Sequence, residues 1–400
     1  MLEFRYSNAC LLGDYQTTYS SAPSSIFDPL LVEFLSVLSS AIMKSREAKE
    51  YPDLITFAFW CRNSNVSLME GNYSKNEIRF GLGKVLHITP KNVPINFAFS
   101  WALSALAGNS NFVKLPTNIF PQIEIFLDLF KQIVETIPYK KIADSVVFFR
   151  TEHNSDLIKE LSLASEARVI WGSDQTIRAI KQFKVQPRVM DLTFPSRISI
   201  AILSCSSFLS LTPPDKRVIV QRFLQDAMNF GQRGCSSPRK IFWVGTQEDY
   251  LEARREFWEL ANKLSLKLIQ MPDSFARFSN LSIESTNTEK KFTFSSSIHN
   301  PLITLKGLDD PNNDFETILS LGTFLEKRID DFKEVLKGET RNLQTVTYFG
   351  LDPESLVASI KRAGFLGIDR IVPFGAAFDM TPIWDGIDTV RSLSRVIEIR

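Results

Sequence analysis

Gly83-Lys-Val-Leu-His-Ile-Thr-Pro-Lys-Asn-Val-Pro94 sets four largely apolar residues, Val85 to Ile88, ahead of a loop bounded by two prolines. The apolar residues predict a short buried strand, and Pro90 with Pro94 ends it in a loop with Asn92 at its tip. Ile95 to Ala107 is apolar on most faces and long enough for a core helix, which Gly108-Asn109 stops. Asn111 to Leu115 then reads as a second strand. Strand, crossover helix and parallel strand are thus specified within one compact stretch, which commits the chain to an α/β fold. Ligands of open α/β sheets bind at the carboxyl ends of such strands, so Asn92 and Lys114-Leu-Pro-Thr117 are expected on one rim.

The unit recurs in looser form downstream. Ile119 to Ile137 reads as a helix, Val146 to Phe149 as a strand, Asp156 to Ser165 as a helix and Ala167 to Trp171 as a strand ending in Gly172-Ser173. The helical pattern Gln175 to Phe183 follows directly. A strand-to-helix junction of this kind offers free N–H groups to phosphate, with plain turn punctuation as the competing explanation. Ile198 to Leu203 is a further strand, and Pro213-Pro214 opens a helix over Asp215 to Asn229. That helix delivers Gly231-Gln-Arg-Gly-Cys-Ser-Ser-Pro238. Glycines let a substrate approach the main chain closely, and Arg233 and Arg239 add positive charge that favours a thiolate. Cys235 is therefore the candidate nucleophile, against the plainer reading of a lone cysteine as a small buried hydrophobe.

Lys240 to Val244 is expected as a strand and Glu248 to Ser265 as a helix, while polar, aperiodic Ser274 to Asn300 suggests a surface insertion. Leu319 to Leu336 reads as helical, Leu343 to Phe349 as a strand, Pro353 to Ala363 as a helix and Asp369 to Gly375 as a strand before a turn at Trp384-Asp-Gly386. Upstream, Pro29 to Glu47 carries apolar residues at helical spacing and Tyr51 to Trp60 is taken as a strand. Function is not legible before about residue 75.

Bulk properties exclude several classes. A chain of 400 residues implies two or more domains, and a net charge of +1 without a basic block argues against nucleic acid. The N-terminus has no secretory pattern, and no apolar run reaches the ~20 residues of a membrane span. The expected location is the cytoplasm. Cys10, Cys61, Cys205 and Cys235 lie far apart, as do His87, His153 and His299, so neither a disulfide framework nor a metal site is indicated. The 32 phenylalanines are read first as core, with a pocket for a long apolar ligand as the alternative.

Three separated stretches together resemble the acyl-CoA reductases of the LuxC type, a branch of the aldehyde dehydrogenase superfamily. They are Val85–Pro94 with Leu106–Lys114, then Gly231–Pro238, then Leu343-Gln-Thr-Val346 with Asp369-Arg-Ile-Val-Pro-Phe-Gly375. The resemblance implies a Rossmann-like NADP-binding domain over residues 1–205, rejoined by 377–400, and a second α/β catalytic domain over 206–376. Cys235 matches the family nucleophile, and Asn92 the asparagine that helps its backbone N–H hold an oxyanion. Lys114 matches the lysine on the adenosine ribose or its 2′-phosphate, and Gly172 and Ser173 the pair near the pyrophosphate. Thr117 stands where NAD-preferring relatives often carry a glutamate, so nothing repels a 2′-phosphate and NADPH is favoured. The water-activating glutamate of aldehyde-oxidising members is missing from Val189–Arg197, where Asp191 is the nearest carboxylate.

The implied reaction is reduction of an acyl thioester, from acyl-CoA or an acyl-protein, to the aldehyde. The family further implies an acyl-activating synthetase as partner and a homo-oligomer. An aldehyde dehydrogenase making free acid, an acyl-phosphate reductase and a non-catalytic scaffold are the rival expectations. Arg370 and Phe374 are read either as lining the site or as parts of a structural strand.

Overall fold

The structure is a computed structural model that describes residues 7–73, 77–90, 93–268, 293–294, 302–306, 321–337 and 341–400. Two compact units divide the chain, Met1–Ser196 with Met380–Arg400, and Arg197–Asp379.

In the first unit the strands are β1 (Cys10–Leu12), β2 (Ile78–Gly81), β3 (Lys84–Ile88), β4 (Ser110–Lys114), β5 (Val146–Phe149), β6 (Ala167–Trp171) and β7 (Met190–Phe194). Six of them form a sheet in the order β1-β5-β4-β3-β6-β7. Strands β3 to β7 pair in parallel and β1 joins antiparallel to β5. Counted among themselves, the five parallel strands run 3-2-1-4-5, which reverses direction between β3 and β6 and makes the switch point where doubly wound sheets bind dinucleotides. Burial on both faces explains why β4, β5 and β6 carry no alternation, since every residue in them is buried.

The predicted crossover helix is Asn96–Leu106, buried along its whole length. Phe97 and Trp101 on it pack with Phe34, Phe126, Phe130 and Phe148, with ring centroids 5.0 Å apart for Phe97–Phe126 and 5.2 Å for Trp101–Phe130. These edge-on contacts are the favoured aromatic geometry, and they place much of the phenylalanine excess in an ordinary core. The C-terminal segment closes this unit. Asn109 Nδ2 donates to Leu393 O at 2.9 Å, and the strand Ser394–Ile397 pairs antiparallel with β2. At Trp384-Asp-Gly386 the expected turn is a two-residue hairpin loop, with Asp385 and Gly386 both left-handed at φ 49° and 72°.

A buried polar chain crosses the same sheet. His87 is held at Nδ1 by Ser100 Oγ (2.8 Å) and at Nε2 by Asn111 Oδ1 (2.9 Å), and Trp171 Nε1 donates to Ser100 Oγ at 3.0 Å. An oxygen acceptor at Nε2 requires the proton there, so Nδ1 accepts from Ser100. Burial pushes His87 down to about 4 from 6.5. The folded protein therefore binds fewer protons than the unfolded chain between these values, and stability is complete above pH 6.5 and falls as pH drops toward 4. Wild type is expected to lose about 3 kcal/mol over that window that His87→Gln does not lose, as read by denaturant unfolding at both ends.

The second unit holds β8 (Ile198–Ser204), β9 (Pro238–Val244), β10 (Thr293–Phe294), β11 (Ile303–Lys306), β12 (Thr323–Ile329), β13 (Leu343–Phe349) and β14 (Arg370–Pro373). Their order is β10-β11-β12-β9-β8-β13-β14, parallel except for β10. Alternation along β8 feeds two cores. Ala201 and Leu203 join Val220, Phe223 and Phe257 from the helices Pro213–Met228 and Gln247–Leu268, and Ile200 and Ile202 join Leu356 and Ile368.

Three expectations are corrected. Tyr51 to Trp60 is not a strand but the helix Pro52–Trp60, with proline in its first turn and Leu54, Phe57 and Ala58 buried on one side. Leu319 to Leu336 is not a helix: its described part is β12 followed by a 3₁₀ turn, Phe332–Lys337. Within β12 Glu326 faces the core, where Arg254 Nε and Trp258 Nε1 bind its two oxygens at 2.6 and 3.0 Å. Strand β8, placed with residues 1–205 in the sequence reading, pairs with β9 and β13 and stands in the second unit. The insertion expected at Ser274 to Asn300 lies outside the described residues apart from Thr293–Phe294.

Candidate active site

In the second unit the helix Pro213–Met228 runs into a 3₁₀ turn, Asn229–Gln232, and then into Gly234-Cys235-Ser236-Ser237. The Ser237 N–H donates to Gly234 O at 3.1 Å, closing a turn around Cys235. A Cβ at Gly234 would stand 2.7 Å from the edge of the Phe378 ring, so a larger residue there has to push that ring aside. Gly231 and Gln232 are both left-handed, at φ 62° and 64°. For glutamine this costs roughly 1 kcal/mol or more. Its buried side chain offsets that cost, with Nε2 donating to Pro238 O and Thr323 O at 3.1 Å each and Oε1 accepting the Gly322 N–H at 2.9 Å. Gln232 thereby ties the cysteine turn to β9 and β12.

Cys235 is half-buried. Its carbonyl accepts from Ser199 Oγ of β8 at 2.7 Å, and its Sγ accepts from Gln344 Nε2 of β13 at 3.6 Å. Gln344 is fully buried, and its Oε1 accepts from Ser236 Oγ at 3.2 Å and from Thr345 Oγ1 at 3.5 Å. Arg239, on β9, interacts electrostatically with the Cys235 sulfur, and its Nε is buried without a hydrogen-bond partner. A nearby cation favours the thiolate. The other three cysteines are poor nucleophiles by the opposite logic. Burial raises the Cys10 and Cys61 thiols, and pushes Cys205 up to about 12.

Behind the turn, Asp226 of the helix Pro213–Met228 accepts the Gly375 and Ala377 N–H groups at 2.7 and 2.9 Å, and burial raises it to about 7. Arg370 Nη1 and Nη2 donate to Ala377 O and Asp379 O at 2.8 and 3.0 Å. Both residues brace the loop that presents Phe378 to Gly234. Phe374 is 5.6 Å from Phe223 in the core. The structural reading of Arg370 and Phe374 is the one the contacts favour.

In the first unit Ile88 registers with Lys114 on one side and with Ile170 on the other, so Lys114 and the Gly172-Ser173 junction flank the end of β3 at the switch point. Asn92 lies outside the described residues. Lys114 is buried, with Nζ 3.4 Å from Leu115 O, and Thr117 is half-buried in the loop that follows. Ser173 caps the helix Asp174–Lys181, its Oγ accepting the Thr176 N–H at 3.2 Å. At Gly172 a Cβ would stand 3.2 Å from the Thr176 side chain, a tight fit that favours glycine at this junction. Asp191 is not placed as a base: its two oxygens accept from Arg168 Nε and Nη2 at 2.7 Å each, within the first sheet.

Sequence reasoning missed Gln232, Gln344 and Asp226. Gln344 could have been noticed as an amide in an otherwise apolar strand, because a buried polar side chain needs a partner. Among the described residues no helix is long and apolar enough to cross a membrane, and no group of His, Cys, Asp or Glu is placed to hold a metal ion.

Comparison with known proteins bears on this geometry. The family described as acyl-CoA reductase (LuxC) matches residues 66–396. Among solved structures, lactaldehyde dehydrogenase from Escherichia coli aligns with a TM-score of 0.65 at 10% identity, over 92% of this chain and 86% of that one. Aldehyde dehydrogenase 21 from Physcomitrella patens, in complex with succinate, aligns over 100% and 88% at 12% identity and TM-score 0.63. Glyceraldehyde-3-phosphate dehydrogenase from Methanocaldococcus jannaschii, complexed with NADP, aligns over 92% and 88% at 11% identity and TM-score 0.64. The fold is thus that of the aldehyde dehydrogenases, as the sequence reading expected. No curated protein matches the sequence.

Proposed function

The chain belongs to the acyl-CoA reductase (LuxC) family, and from that premise we propose that it reduces an acyl thioester to the aldehyde through an acyl-enzyme on Cys235, with NADPH as reductant. The observation that carries this reading is the Gly234–Ser237 turn. It leaves one thiol half-buried beside an amide donor and a guanidinium, while burial raises the other three.

In this reading the Cys235 thiolate attacks the thioester carbonyl carbon. Negative charge moves to the carbonyl oxygen, where the Cys235 backbone N–H and, by the family resemblance, the Asn92 amide receive it; one such donor is typically worth about 10²–10³ in rate. Collapse expels the carrier thiolate and leaves the acyl group on Sγ. A nicotinamide cofactor held by the first unit would supply the hydride for that carbonyl carbon, after which departure of the Cys235 sulfur as thiolate from the tetrahedral hemithioacetal anion would release aldehyde. Exchange of one thiol for another needs no activated water. The engagement of Asp191 by Arg168 supports this, since the carboxylate nearest to where aldehyde-oxidising relatives carry their glutamate is held in an ion pair.

Lys114, Thr117, Gly172 and Ser173 are the residues proposed to hold the cofactor. A lysine at 114 and an uncharged residue at 117 favour a 2′-phosphate on electrostatic grounds. The test is to follow NADPH and NADH oxidation with acyl-CoAs of graded length while trapping aldehyde. Aldehyde formation with NADPH preferred, and with that preference reduced about tenfold or more in Lys114→Met, is the expected result. Free acid from aldehyde and NADP would instead identify a dehydrogenase. Silence in both directions, with acyl-protein thioesters also tried, would leave a scaffold of the same fold.

A further inference from the structure

The Leu343-Gln-Thr-Val346 motif has no role in the reaction as described so far, yet it sends the Gln344 side chain to the reacting sulfur. An amide can face a sulfur in two ways. With oxygen toward it, it accepts a thiol S–H; with nitrogen toward it, it donates and so favours a thiolate. The structure shows the second. Ser236 Oγ at 3.2 Å and Thr345 Oγ1 at 3.5 Å both lie against Oε1, and each hydroxyl can donate there, leaving Nε2 directed at Sγ. Full burial of Gln344, Ser236 and Thr345 removes water as a competing partner.

We propose that Gln344 is a catalytic residue that holds the Cys235 sulfur as a thiolate through its Nε2–H, with Ser236 and Thr345 fixing the amide in its donating orientation. This rests on the reading of Cys235 as the nucleophile. Arg239 is the charged group that faces the sulfur from β9, and it acts in the same direction. The two contributions differ in kind. Arg239 acts as a charge, whereas Gln344 adds a directed donor that also sets where the sulfur points. When the hemithioacetal collapses, the same donor receives the returning negative charge on sulfur, so loss of Gln344 should lower kcat with KM little changed.

The test is the pH profile of iodoacetamide alkylation at Cys235, mapped by mass, for wild type, Gln344→Met and Gln344→Glu, each with its thermal midpoint and its kcat and KM for acyl-CoA reduction. Gln344→Met, close in length but without a donor, should alkylate about tenfold more slowly at neutral pH, with the thiol pKa raised by about one unit. Gln344→Glu keeps the shape and the acceptor for Ser236 and Thr345 but sets an anion beside the sulfur, so its shift should be larger. It also decides the matter if the methionine variant does not fold. An unmoved alkylation profile in folded variants, with only the thermal midpoint lowered, would reduce Gln344 to a structural residue and overturn the proposal. Alkylation is measured without substrate, so the two ideas separate. A shifted profile in a protein that reduces no thioester counts against the reductase reading, and full turnover with an unmoved profile counts against Gln344 alone.

Discussion

Replacing Cys235 by alanine is expected to lower acyl-thioester reduction by on the order of 10⁴-fold or more, because every covalent step of the proposed reaction passes through its sulfur. The fold should survive the change. Cys235 is half-buried in a turn whose geometry is set by backbone and by Gln232, so removing Sγ empties little core. Incubation of wild type with acyl-CoA and no reductant should add one acyl mass, mapped to the peptide containing Cys235, and the alanine variant should add none. Cys205→Ala supplies the control, since burial and a thiol pushed up to about 12 leave that sulfur protonated at neutral pH. Acylation mapped to Cys10, Cys61 or Cys205, or undiminished reduction by the alanine variant, would sink the assignment.

What made Cys235 legible was local, and what made its setting illegible was not. Glycine spacing around a cysteine can be read along the chain, as can the strand-helix-strand pattern from Val85 to Lys114, because both are written in consecutive residues. Gln344 meets Cys235 from a strand 109 positions away, and Asp226 reaches Gly375 across 149. No period or turn signal reports such pairings. The helical reading of Leu319 to Leu336 failed for the same reason, since Glu326 of β12 is satisfied in the core by Arg254 and Trp258, 72 and 68 positions away. The strand taken for Tyr51 to Trp60 failed differently. Aromatic and β-branched residues favour a strand locally, but here they cover a helix packed on other helices, and the packing prevails.

The second large effect is expected far from the sulfur. Asp191→Ala should destabilise the protein by about 3–5 kcal/mol, because it strips the carboxylate from an Arg168 whose side chain is 1% exposed and which keeps only the Ile180 carbonyl, at 3.0 Å, of the partners described here. A buried guanidinium cannot shed its proton to escape this. For a domain of this size each kcal/mol moves the thermal midpoint by about 2–4 °C, so a fall of roughly 10 °C is expected by calorimetry. The same variant discriminates between chemistries. A water-activating base, once removed, would cut acid formation and spare aldehyde formation. In this structure both Asp191 oxygens are held by the guanidinium, so neither is placed to take a proton from water. Turnover per folded molecule, and the ratio of aldehyde to acid, should therefore match wild type below the new midpoint. A fall in acid with unchanged stability would restore Asp191 as a base and favour an aldehyde-oxidising enzyme. The expected result, lost stability with chemistry intact, would instead assign Asp191 to bracing the sheet of the first unit through Arg168.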